Sequence, residues 1–142
     1  MRINIPDSFG SELRKFNGTC TATIEKLILG KSQQDQPKLT LRYLILDDAG
    51  LELQEGEAPA VGESVLETFS LQPQALFRVN DLYKEATNEK LPQGDWDLEE
   101  FVAMLTEKLA GTEWNLLLAT EIPKGSKSGD AITVVKKRTI AG

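Results

Sequence analysis

Apolar residues recur along this chain with two spacings, an alternation of two in the outer segments and a helical period between them. In "TCTATIEKLIL" (residues 19–29), Thr19, Thr21, Thr23 and Glu25 alternate with Cys20, Ala22 and Ile24. That pattern predicts a strand with one wet and one buried face. "KLTLRYLIL" (38–46) alternates again, with Leu39, Leu41, Tyr43 and Ile45 on one face and Thr40 and Arg42 on the other. The polar connection from Gly30 to Pro37 makes the two runs a long hairpin. "ESVLETFSL" (63–71) predicts a third strand. Pro73 then opens a helix in which Leu76, Val79, Leu82, Tyr83 and Ala86 follow helical spacing. A second helix is marked by Asp97 as N-cap, Glu100 three residues on, and a Trp96–Phe101 staple. Its apolar stripe is Leu98, Phe101, Val102, Leu105 and Leu109, and Gly111 ends it. "TEWNLLLATEI" and "AITVVKKRTI" predict two last strands, joined by "PKGSKSGD".

Three strands, two helices and two strands, in that order, match a barrel whose helical connection lies between the third and fourth strands. The expected fold is mainly β with helices: a five-stranded OB-fold-like Greek-key barrel with two helices between strands three and four. An α+β sandwich of the same elements is the alternative. Residues 1–17 read as an irregular N-terminal arm and 18–142 as a single domain. Neither an internal repeat nor a low-complexity tract interrupts it.

Composition narrows the chemistry. The chain has no histidine, which removes the commonest general base, the Ser-His and Cys-His pairs and His-based metal ligation. Its single cysteine, Cys20, excludes an internal disulfide and a Cys-cluster zinc site. The 22 acids form no EF-hand loop. The expectation is a binding or assembly protein, not an enzyme, without a cofactor. No run approaches the ~20 apolar residues of a membrane span. "MRINIPDSFGSELRKF" lacks the apolar centre of a secretory leader, so a cytoplasmic location is expected.

The formal net charge of −6 is unevenly spread. Asp47, Asp48, Glu52, Glu55, Glu57, Glu63 and Glu67 form a run without a base. Beyond Pro123, Lys124, Lys127, Lys136, Lys137 and Arg138 face only Asp130. Gly30-Lys31-Ser32 imitates the end of a phosphate-binding loop, but the first glycine of that motif would fall at Glu25. "QQDQPKLTL" then leads into a strand, where the motif requires a helix. The tripeptide therefore reads as the start of a hairpin connection. In an OB-fold that connection and the one between strands four and five flank the ligand face. Lys31, Lys38, Lys124, Lys127, Lys136 and Arg138 are the candidate phosphate contacts, and Arg42 is a candidate for a base or phosphate. Lysine-rich hairpin loops also arise for solubility alone. Among the aromatics, Phe69 is the first candidate to stack a base and Trp114 the next, with core packing the leading alternative for each, while Phe77, Tyr83 and Phe101 are assigned to helix packing.

"GTCTATIEKLILGKS", "PKLTLRYLI" and "VGESVLETFSLQPQALFRVNDLYKEA", in which a strand passes into a helix carrying Arg78, resemble the small phage and prophage OB-fold proteins related to single-stranded-DNA binders. Such proteins are encoded among recombination and replication genes. The resemblance covers roughly residues 18–135 as a set of short motifs. It implies passive, sequence-tolerant coating of single-stranded DNA in phage DNA replication or recombination, by a homo-oligomer or alongside replication, recombination or virion proteins. The chain departs from that pattern in its first loop, "KSQQDQPKL", in the acidic stretch after Asp47, and in a C-terminus, "KKRTIAG", that is not an acidic docking tail. The second expectation is a phage interaction or assembly subunit on the same fold that binds no nucleic acid. An acidic mimic of DNA ranks third and an enzyme last.

Overall fold

The computed structural model describes residues 14–32, 34–122 and 129–141. Five strands carry the fold: β1 (Gly18–Lys31), β2 (Pro37–Asp47), β3 (Ser64–Ser70), β4 (Glu113–Glu121) and β5 (Ile132–Ile140). Between β3 and β4 lie a 3-10 turn at Pro73–Ala75 and the helices α1 (Leu76–Thr87) and α2 (Leu98–Leu109). Every element follows a segment whose spacing predicts it. All neighbouring strands are antiparallel, in the order β3-β2-β1-β4-β5. The sheet is not closed by hydrogen bonds, and β3 and β5 are its two edges.

One apolar cluster fills the concave side. Cys20, Ala22 and Ile24 of β1, Leu39 to Ile45 in alternation on β2, and Trp114, Leu116 and Leu118 of β4 are buried together. Against them pack Val79, Leu82 and Tyr83 of α1 and Phe101, Leu105 and Leu109 of α2. Burial at about 25 cal/mol per Å² of apolar area is what holds helices of twelve residues, which are marginal alone. Asp97 caps α2, its carboxylate accepting from the Glu100 N–H at 3.3 Å, and the Trp96 and Phe101 rings meet with centroids 6.1 Å apart. Residues 14–17 are irregular but tied down: Phe16 is buried, and the Arg14 guanidinium donates to the carbonyls of Ala58 and Pro59 and to Glu57. No helix among the described residues is long and apolar enough to cross a membrane.

Two register irregularities matter for the surface. The period-two alternation of β1 does not run through unbroken: Ile24 pairs with Tyr43 and Lys26 with Arg42, leaving Glu25 as an extra residue. Beyond the bulge the faces exchange parity, so Leu27 and Leu29 turn inward and Lys26 and Ile28 outward. A second bulge leaves Lys136 unpaired between Leu117–Lys137 and Leu118–Val135. Arg138 consequently shares the inward face with its partner Leu116, not the polar face.

Candidate nucleic-acid interface

On the outer face of β1, β2 and β3 the register builds three rows. Lys26, Arg42 and Leu66 lie side by side, then Ile28, Thr40 and Thr68, then Gly30, Lys38 and Ser70. Successive rows are two residues apart, about 7 Å along the strands. Thr40 and Thr68 hydroxyls are within hydrogen-bond reach at 3.4 Å. Arg42 donates from Nε to Ser64 Oγ at 3.0 Å and lies 3.4 Å from a Glu25 oxygen. Lys26 and Lys38 have no carboxylate partner among the described residues. The face is therefore cationic, hydroxyl-bearing and partly apolar, with Leu66 at 40% exposure.

Gly30-Lys31-Ser32 opens a self-satisfied turn at the upper end of this face. Ser32 Oγ accepts from the N–H groups of Gln34 and Gln36, and the Ser32 N–H donates to the Gln36 carbonyl at 2.7 Å. The polar groups that would cradle a phosphate in a nucleotide-binding loop are spent on the hairpin itself. Lys31 extends from it with its ammonium 3.4 Å from Asp35, a fully solvated pair worth at most ~1 kcal/mol and easily exchanged for another anion.

Other candidates from the sequence go elsewhere. Phe69 is 0% exposed and offers no free ring face, because its parity on β3 turns it into the core. The guanidinium carbons of Arg78 and Arg138 both stand 5.1 Å from its ring centroid. Trp114 is buried as well. Arg138, 21% exposed at its side chain, binds Glu67 through two nitrogens at 3.1 and 2.6 Å, and Glu67 is only 7% exposed. The Tyr43 hydroxyl donates to the same carboxylate at 2.8 Å. Burial first, then the Glu67 charge, pushes the Tyr43 phenol far above its usual range, so it stays a donor. These three side chains bridge the unpaired edges β3 and β5 from inside. Lys136 is paired with Glu121 at 2.9 Å. Lys124 and Lys127 lie outside the described residues.

The acidic stretch is at the far end of β1. Leu51 bridges to Gly18, and the Glu52 N–H donates to the Asn17 carbonyl, whereas Lys31 is opposite Pro37 at the other end of the strand. Much of its charge is used locally. Asp48 accepts from the Ala60 N–H at 2.8 Å, and Asp47 from the Ala49 N–H at 2.9 Å. The Gln54 N–H, and then Arg14, hold the Glu57 carboxyl below its ordinary value. Nearby, an open groove of about 540 Å³ runs over Thr19, Thr21, Asp47, Asn115 and Lys137. Thr21 donates to Asn115 across it at 3.1 Å. The Cys20 thiol beside this groove is pushed up to about 11 by burial and then by Asp47.

Sequence reasoning missed two residues. Lys26 is the first: only the Glu25 bulge turns it outward, and no turn residue marks that bulge. Phe77 is the second: it sits in a helical segment, yet it is 63% exposed. Its spacing from Val79 and Leu82 on the buried stripe carried that signal. Compared with known proteins, the chain matches no family model and no curated sequence.

Proposed function

We propose that this protein binds single-stranded DNA without strong sequence preference, on the outer face of β1, β2 and β3. What carries the reading is the stack of rows Lys26–Arg42–Leu66 to Gly30–Lys38–Ser70, cationic and hydroxyl-bearing, on the half of β1 away from the contacts of Leu51 and Glu52 with Gly18 and Asn17. A backbone-tracking cationic groove is the requirement for sequence-tolerant binding of a single strand. The strand order β3-β2-β1-β4-β5, with the two edges bridged by Arg138 and Glu67, supports a partly open barrel of the OB type. On that reading the rows occupy the side that OB-folds use for oligonucleotides. The motif resemblance to phage single-strand binders of replication and recombination points the same way, and implies work in the host cytoplasm.

The test is fluorescence anisotropy of a labelled oligo-dT of about thirty nucleotides at several salt concentrations. Lys26→Ala with Lys38→Ala is expected to weaken binding about tenfold at low salt. The slope of log K against log salt should shrink by about 1.4, the loss of two phosphate contacts to a single strand. An unchanged affinity and slope in the folded variant would remove this face from the interface.

Leu66 on β3 and Leu46 near the end of β2 are exposed, and they favour a second reading, a protein-docking face on the same strands. That reading requires a stable protein complex and no salt-sensitive binding of the oligonucleotide.

A further inference from the structure

We propose that Phe77, held beside Arg78 at the start of α1, is the ring on which a nucleobase stacks, extending the cationic rows; this rests on the single-strand reading above. A single-strand binder needs an exposed aromatic face, and the rings on strands do not supply one. Among the described residues, Phe16, Tyr43, Phe69, Tyr83, Phe101 and Trp114 are all buried. Trp96 is committed to Phe101 and donates its indole N–H to the Pro92 carbonyl at 3.0 Å. Among the described residues Phe77 alone keeps an exposed ring with no aromatic or cationic partner. Exposing most of a phenylalanine forgoes the burial that its neighbours Val79 and Leu82 obtain, so the position answers to something other than the core.

Its surroundings fit a polyanion. Arg78 is exposed, pinned by its guanidinium against the Phe69 ring, and has no carboxylate partner among the described residues. The first turn of α1 contains no acid. Chain connectivity ties the pair to the end of the third row, since Phe77 follows Ser70 by seven residues: Ser70 pairs with Lys38, and the Leu71 N–H donates to the Pro37 carbonyl at 3.0 Å. The 3-10 turn at Pro73–Ala75 then leads directly into Leu76, Phe77 and Arg78. A strand tracking Lys26, Arg42 and Lys38 thus reaches a ring and a further cation where it leaves the sheet. Asp81, one turn further along α1, bounds the favourable region on that side. The other strongly exposed apolar residues among those described, Val61 and Ile122, are aliphatic and belong to the opposite end of β1.

The experiment compares the full chain with Phe77→Ala and Phe77→Trp on oligo-dT and on an abasic oligonucleotide of equal length, with circular dichroism to show folding. Phe77→Ala is expected to weaken oligo-dT binding about tenfold, within the range for one stacked base, while leaving the salt slope and the abasic affinity unchanged. Phe77→Trp should keep the affinity and lose emission on saturation, beyond the change given by Trp96 and Trp114 in the parent chain. Wild-type affinity in a folded Phe77→Ala protein overturns the inference. So does an equal loss on the abasic strand, or a self-association that Phe77→Ala abolishes. No oligo-dT binding by the parent chain overturns the single-strand reading and this one with it. Sensitivity to Lys26→Ala with Lys38→Ala but not to Phe77→Ala overturns this inference alone.

Discussion

Arg138 illustrates how a residue's parity decides its chemistry. In the sequence it belongs to a basic run, Lys136-Lys137-Arg138, that suggests phosphate contact. In the fold, one bulge at Lys136 turns it inward onto Glu67, next to the Tyr43 hydroxyl and the Phe69 ring. Removing one partner of such a pair leaves an uncompensated buried charge, whereas replacing the whole set by apolar groups can be nearly neutral. Arg138→Met is therefore expected to cost roughly 3 kcal/mol in urea unfolding. The triple change Tyr43→Phe, Glu67→Leu and Arg138→Met should recover most of that loss. Oligonucleotide affinity of the folded variants should stay at the parent value, since Arg138 faces the core; a reduced salt slope would instead return it to the interface. Lys26 shows the converse. Its outward position depends on the bulge at Glu25, and a bulge is set by how two strands accommodate twist, which single-strand alternation does not encode. The inner residues Cys20, Ala22 and Ile24 were legible because they precede that break.

At the scale of elements, strand and helix identities were legible and their crossings were not. Asp47-Asp48-Ala49-Gly50 reads as turn chemistry, which it is, but the reason for glycine lies elsewhere in the chain. The turn after β2 crosses the beginning of β1, with the Thr19 N–H donating to the Gly50 carbonyl at 3.0 Å. A Cβ on Gly50 would overlap Thr19 Oγ1 and stand 2.7 Å from the Thr19 carbonyl oxygen. One on Gly18 would overlap the Gly50 carbonyl, at a φ of +111°. Gly50→Ala is expected to destabilise by about 2 kcal/mol, as overpacked sites do. Truncating Thr19 to Ala in the same chain should return only part of this, because the obstructing carbonyl is backbone. Gly56→Ala is the contrast: its φ is +83° but nothing lies within 4 Å, so only backbone strain of ~1 kcal/mol is at stake. If thermal unfolding ranks Gly56→Ala as the more costly change, the crossing is not what fixes glycine at position 50.

For the whole molecule, the loop after β2 that carries Glu52 and the lysines of the β1–β2 hairpin stand at opposite ends of β1, and this bears on how a net charge of −6 could coexist with the proposed binding face. β1 is 14 residues long, about 45 Å if straight, and the curl of the sheet shortens that span. Glu52 and Glu55 sit beyond its first residue, while Lys31 and Lys38 mark its last. Screening sets how far the acidic end can be felt. The Debye length is about 8 Å at physiological ionic strength and about 30 Å at 0.01 M. Neutralising the two acids as Glu52→Gln and Glu55→Gln should therefore alter oligo-dT affinity less than twofold at 0.15 M salt. At 0.01 M the same variant should bind several-fold more tightly than the parent, because the repulsion then spans much of the molecule. The two titrations separate distance from contact. A several-fold gain that persists at 0.15 M means that the bound strand passes within a Debye length of the acidic loop, and the path would then run toward Gly18, Asn115 and Lys137 instead of along Lys26 to Lys38. A gain confined to low salt keeps the strand on the β1–β2–β3 rows, beyond a Debye length from the acidic loop at physiological salt.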